Sequence, residues 1–226
     1  MGIYQRLIPK QSCVLCSEQS DYCVCTQCES SFSTSEHRCL SCATKLNSDL
    51  QFCGECLSHS PYFSKTYALY DYAEYCSQLI KQFKFDHQLC VGDYFAHRLF
   101  DLYTKIVRES GEYDAIIPLP LSTQRIKDRG YNQTHELLRV IKNKTNATID
   151  TNCAERIKAT QALSSLSLEQ RKNEIKNAFS VKPVTYKRVL LVDDVMTTGS
   201  SMNEISKTML KNTDIETCDV MVVARA

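Results

Sequence analysis

The string VLLVDDVMTTGSS, residues 189–201 of 226, constrains the fold more than any other part of the chain. Val189 to Val192 are four consecutive aliphatic residues, the pattern of a strand buried on both faces of a parallel sheet. Asp193 and Asp194 follow at the strand's carboxyl end, the edge where open α/β sheets bind ligands. Thr197, Thr198, Gly199, Ser200 and Ser201 then turn into a helix with Met202, Ile205 and Met209 on its apolar face. The turn gathers hydroxyls and backbone N–H groups at a helix N-terminus, which attracts anions. Two carboxylates beside an anion cradle suit a sugar monophosphate, with the phosphate in the loop and the hydroxyls against the acids. No Gly-Lys-Ser/Thr follows, so the turn is not a Walker A loop.

At 43% apolar the chain has one sizeable core and room for a small appendage. Its first residues, MGIYQRLIPKQSC, intersperse charges and Pro9, and the sequence shows no secretory h-region or apolar run of membrane length. A soluble cytoplasmic protein without membrane insertion is the expectation. In a reducing compartment 13 cysteines point to metal rather than to disulfides.

Eight of them form four C-x-x-C pairs, Cys13/Cys16, Cys25/Cys28, Cys39/Cys42 and Cys53/Cys56, separated by 8, 10 and 10 residues. Each pair turns two thiolates toward one ion, and two pairs complete the tetrahedral sulfur shell of structural zinc. Eight ligands suit two zinc ions. Sequential pairing would stack two ribbons, and alternate pairing would make a cross-brace. Four protein thiolates per ion leave no position for water, so the zinc folds the module rather than catalysing. Cys23 is a candidate substitute ligand, while Cys76, Cys90, Cys153 and Cys218 are expected as buried small hydrophobes. With 5 basic and 6 acidic residues over 1–66, the module is not a strong phosphate binder. It would brace its neighbour, or present Phe32, Phe52, Tyr62 and Phe63 to a partner.

Cysteine turns give way to long apolar periods near residues 58–66, which divides the chain into a zinc-ribbon module, 1–62, and a larger domain, 63–226. In the second part Tyr67–Tyr72, Tyr113–Pro118 and Val220–Ala224 pattern as strands, and Ala73–Phe85, Gly92–Glu109 and Asn132–Lys142 as helices. Leu119, Pro120, Leu121 and Ser122 follow a strand end, with Arg125, Lys127 and Arg129 in a polar stretch where N–H groups and cations would meet a diphosphate. Residues 145–180 are weakly periodic and are expected as a mobile lid carrying Arg156, Lys158, Gln161, Arg171 and Asn173. The basic excess sits in residues 121–188, with 14 basic against 6 acidic, a field suited to pyrophosphate or a nucleic-acid backbone. Lys127, Arg129, Arg171 and Lys172 are the candidate DNA contacts.

VDDVMTTGSS resembles the phosphoribosyl pyrophosphate (PRPP) motif of type I phosphoribosyltransferases. The likeness extends over nearly the whole chain through the C-x-x-C pairs, PLPLS, RGYNQ, and the run from Ala159-Thr160-Gln161 through Arg171 and Asn173 to Ala178-Phe179. In these features the chain resembles the ComF family, which includes ComFC- and GntX-like proteins and carries RGFNQ where this chain has RGYNQ. The resemblance implies an α/β fold: a type I phosphoribosyltransferase-like parallel sheet flanked by helices, preceded by a double zinc ribbon. It also implies PRPP as ligand, with Asp193 and Asp194 as the catalytic pair on the ribose hydroxyls or near Mg²⁺, and Thr197 to Ser201 on the 5′-phosphate. Leu119, Pro120, Leu121, Ser122, Arg125, Arg129, Gln161 and Arg171 become the pyrophosphate and lid contacts. The implied role is in natural transformation and the handling of incoming single-stranded DNA. A working phosphoribosyltransferase with its own acceptor, or an adaptor whose zinc module recruits a DNA-translocation helicase, is the alternative.

Overall fold

The computed structural model describes residues 11–47, 49–158 and 175–226. The cysteine-rich segment contains a short antiparallel pair, β1 (Gln11–Ser12) with β2 (Gln19–Ser20), and two five-residue helices, α1 (Thr26–Ser30) and α2 (Gly54–Ser58). Beyond it follow β3 (Thr66–Asp71), α3 (Glu74–Phe85), α4 (Leu89–Ser110), β4 (Ala115–Pro118), α5 (Thr123–Arg129) and α6 (Gln133–Lys144). The chain continues through β5 (Ala154–Arg156), β6 (Phe179–Val181), β7 (Arg188–Met196), α7 (Ser200–Asn212) and β8 (Thr217–Arg225). Strands β3, β8, β7 and β4 lie side by side in that order, all parallel, and β5 pairs antiparallel with β6.

The aliphatic run of β7 is buried on both faces, as its lack of alternation predicts. Leu190 and Val192 share a core with Phe83 of α3, Phe95 and Leu99 of α4 and Ile141 of α6. Val189 and Leu191, one residue out of phase, pack instead with Met202, Ile205 and Met209 of α7. Each such side chain contributes roughly 1.5–3 kcal/mol on burial. Helices α3 and α4 approach closely because residue 92 is glycine: a Cβ there would stand 2.4 Å from the Phe83 ring. No described helix is long and apolar enough to cross a membrane.

Several expectations need correction. β7 does not stop at Val192 but runs to Met196, because β8 keeps pairing with it as far as Met196↔Arg225. β4 ends earlier, at Pro118↔Val192, so the two aspartates lie inside β7 but beyond its β4 neighbour. The stretch bearing Arg125 and Lys127 is helix α5, not a loop; Ser122 caps it, its Oγ accepting from the Arg125 N–H at 3.4 Å. Of the expected lid, residues 154–156 and 179–180 belong to the β5–β6 ribbon, while Gln161, Arg171 and Asn173, and the DNA-contact candidate Lys172, lie outside the described residues. Phe32 and Phe63 are buried, not displayed: Phe32 meets Tyr70 edge-on at 5.1 Å, anchoring the cysteine segment on the sheet domain. Phe52 and Tyr62 are exposed. Cys76, Cys153 and Cys218 are buried, but Cys90 is exposed.

Candidate functional site

The cysteines resolve into two sequential clusters, Cys13/Cys16/Cys25/Cys28 and Cys39/Cys42/Cys53/Cys56, each with its four sulfurs within 4.8 Å of one another. A zinc ion with Zn–S bonds of about 2.3 Å sets tetrahedral sulfurs about 3.8 Å apart. Cys16 and Cys25 Sγ stand at 3.7 Å, and Cys42 and Cys53 Sγ at 3.6 Å, so both cages fit the ion. Cys23 is not a ligand; its Sγ donates to the Cys90 carbonyl at 3.0 Å and is buried in the core. One thiol in each cage is prepared for metal. Burial raises Cys13, but N–H donors from Cys25, Cys16 and Leu15 outweigh it and bring the thiol down to about 6. Burial likewise raises Cys42, yet the Thr44 hydroxyl and N–H, with Cys56 and Cys53, lower it to about 6.

The second site lies at the carboxyl edge of the sheet. Successive strand residues face opposite ways, so Asp194 turns toward α3, where Lys84 Nζ meets its Oδ1 at 2.7 Å, and Asp193 turns toward the Thr197–Ser201 turn. Between them opens a cleft of about 240 Å³ walled by Lys84, Arg125 and Arg156 and closed at one end by Thr197 and Ser201. Asp194 is only 6% exposed. Asp193 accepts from the Asp194 N–H at 2.8 Å, yet desolvation, followed by the charge of Asp194, lifts its carboxyl to about 7 against the opposing pull of Lys84 and Arg125. Arg156 is 8% exposed as a residue, and burial together with the nearby Arg125 charge lowers its guanidinium to about 10. Two guanidinium groups lining one sheltered cleft favour an anion there.

The turn itself encloses a pocket of about 60 Å³, room for a few waters or one phosphoryl group. Gly199 takes φ +74°, the left-handed region, and a Cβ there would stand 2.7 Å from Met196 Cε. The Thr198 and Ser200 hydroxyls meet at 2.8 Å, at the N-terminus of the thirteen-residue α7.

Of the residues singled out from sequence, Asp193, Asp194, Thr197, Ser201, Leu119, Leu121 and Arg125 meet in the cleft, and Thr198, Gly199 and Ser200 line the adjoining pocket. Pro120 is half-buried in the loop, Ser122 is buried as a helix cap, and Lys127 is exposed on α5. The side chain of Arg129 lies outside the described residues, as do Gln161, Arg171 and Lys172. Lys84 was not foreseen, since one lysine in an amphipathic helix carries no local signal. Arg156 is foreseen as part of a moving lid, but it is buried, with its guanidinium 5.6 Å from the Phe179 ring centre.

An α/β protein with a parallel sheet, a mixed-charge cleft at its carboxyl edge and two N-terminal four-cysteine cages is the class that fold and site define. No family model matches the chain. It is 35% identical over 210 residues to Competence protein F of Haemophilus influenzae, covering 90% of each chain. It is 30% identical over 192 residues to DNA utilization protein YhgH of Escherichia coli, covering 84% of this chain and 85% of the other. Competence protein ComFC of Streptococcus pneumoniae is 27% identical over 206 residues, with 87% and 85% covered. The chain belongs to the ComF family of competence proteins.

Proposed function

We propose that this protein binds PRPP in the cleft at the carboxyl edge of β7 and serves, in the cytoplasm, the handling of incoming single-stranded DNA. The observation that supports the ligand is the convergence of the Asp193/Asp194 pair, the Arg125/Arg156 pair and the hydroxyl-rich turn in one cleft. Thr197 to Ser201 hold the 5′-phosphate, the two aspartates face the ribose hydroxyls, and Arg125 and Arg156 draw the pyrophosphate, with Leu119 to Ser122 beside it. Arg129, Gln161 and Arg171 complete the pyrophosphate side in this reading. Magnesium bound with the diphosphate, near Asp193 and Asp194, would neutralise the leaving group's charge while keeping several waters. Cleavage of the C1′–O bond releases pyrophosphate as a nucleophile bonds to C1′ from the other face. The protein's own contribution is placement and electrostatic support of the developing sugar cation.

Calorimetry with PRPP and Mg²⁺ tests the ligand: wild type takes up the sugar and the Asp193→Asn/Asp194→Asn double variant does not. Absence of uptake by wild type would sink the reading. Because only ionised Asp193 serves, affinity rises about tenfold between pH 6 and pH 8. Pyrophosphate release with candidate nucleobases or amines separates a working transferase from a PRPP-binding factor.

The names of the relatives support the DNA role. Single-stranded DNA then binds in a salt-dependent way through Lys127, Arg129, Arg171 and Lys172, and reversing these charges flattens the salt slope. Unchanged affinity after reversal would count against it.

A further inference from the structure

Arg225, at the end of β8, joins three segments that are distant in sequence. Its Nε donates to the Cys42 carbonyl at 2.7 Å and its Nη2 to Thr44 Oγ1, both in the second cysteine cluster's turn. Its Nη1 donates to the Met196 carbonyl at 3.2 Å and to the Thr197 carbonyl, where β7 enters the hydroxyl-rich turn. The residue is 9% exposed, so these acceptors take the place of water, and the rigid fork of a guanidinium fixes their relative positions. In a trans peptide C=O and N–H point opposite ways. Gripping the Met196 and Thr197 carbonyls therefore turns the Thr197 and Thr198 N–H groups away from Arg225. Both threonines line the small pocket of the turn, and Arg225 does not.

The other end of the grip depends on the second four-cysteine cage. Cys42 closes the turn that begins at Cys39, whose carbonyl accepts from the Ala43 N–H at 2.8 Å, and Ala43 sits at φ +54°, outside the comfortable range of alanine. A turn of this kind keeps its shape while its thiolates share an ion. The first cluster makes no comparable contact among the described residues; its segment reaches α4 through Cys23 to Cys90 and through Glu29 to Arg98 Nε at 2.7 Å.

We propose that Arg225 is the positioning residue of the phosphate loop, and that the second cysteine cluster, rather than the first, holds Arg225 in place. The proposal rests on the reading of Thr197 to Ser201 as the anion-binding turn. Metal in the second cage thus orders that turn, and a ligand in the turn tightens binding of that metal by the same factor, since coupling between two sites is reciprocal.

Amide hydrogen exchange at residues 197–201 of the full zinc-loaded chain is the test. Arg225→Gln and Cys53→Ser should each raise exchange there about tenfold, Arg225→Lys should recover part of the protection, and Cys16→Ser in the first cluster should change it by less than about twofold. Should Arg225→Gln fail to fold, a zinc-selective chelator added to wild type gives the same reading, with thiol labelling reporting which cage has emptied. Unchanged exchange as the second cage empties, or an equal rise on emptying the first, would overturn the proposal. PRPP titrated into the same samples keeps the two readings apart. If exchange responds but wild type takes up no PRPP, the coupling stands and the sugar-phosphate reading falls. If PRPP binds and exchange does not respond, the reverse holds.

Discussion

The two four-cysteine cages have the same ligands and nearly the same spacing, but they are attached to the body by different physics. The first is held by an apolar and ionic seam against the helical layer: Phe32 against Tyr70 and Tyr94, Cys23 and Val24 in the core, and Glu29 paired with Arg98 while accepting from the Tyr70 hydroxyl at 2.9 Å. The second is held by polar contacts: Arg225 at the Thr197–Ser201 turn, Asn203 of α7, whose Oδ1 accepts from the Tyr62 N–H at 2.7 Å, and Arg38, which donates to the Ala43 carbonyl at 3.0 Å and pairs with Asp71 of β3 at 2.6 Å. Between the second cage's segment and α7 a cavity of about 590 Å³ remains, so this contact is not a packed one. Non-directional burial makes the first cage an anchor. Directional hydrogen bonds instead join the second to loop carbonyls beside the cleft.

The largest expected effect tests the anchor. Phe32→Ala should cost about 3–5 kcal/mol in urea unfolding while leaving exchange at residues 197–201 unchanged. A parallel loss of loop protection would erase the distinction between the cages. Next comes the cleft. Asp193 is protonated in the folded protein up to about pH 7, whereas the unfolded carboxyl ionises near its usual acidic value. The folded state therefore binds more protons between these limits, and stability falls as pH rises toward 7, then levels. Asp193→Asn removes that decline and should stabilise the protein above pH 7 by about 2 kcal/mol, roughly half the full linkage value because the amide is still desolvated. No gain at pH 8, or an equal gain at pH 4, would contradict a raised carboxyl.

Gly199→Ala should cost about 1–2 kcal/mol through the left-handed backbone and the Met196 contact, and should weaken PRPP uptake far more than it lowers the melting temperature. Loss of stability with full uptake would argue that the loop does not hold the phosphate. The smallest effect lies on the second cage's outer surface, where Leu57 is 68% exposed. Leu57→Ser should move stability by less than about 0.5 kcal/mol in urea unfolding, and a larger loss would show that this outer surface is packed.

Features carried by local pattern are legible in the sequence itself. A double-faced aliphatic strand, an acid pair, a Gly-containing hydroxyl turn and four C-x-x-C pairs each concern neighbours in the chain, so their spacing alone implies a buried parallel strand, a ligand edge and two sulfur cages. Pairing of the cages in sequence order, the burial of Phe32 and Phe63, and the extension of β7 past β4 depended on which surfaces meet, and spacing does not encode that. The same holds for the charges of the cleft. Lys84 reaches Asp194 from α3, Arg156 reaches Arg125 from the β5–β6 ribbon, and Arg225 ties a cysteine turn to a loop from the last strand. Local sequence determined the chemistry of each part, because backbone geometry and ligand spacing are short-range. Only the tertiary structure decided which charge answers which, because electrostatic partners are chosen by distance in space after the apolar layers have closed.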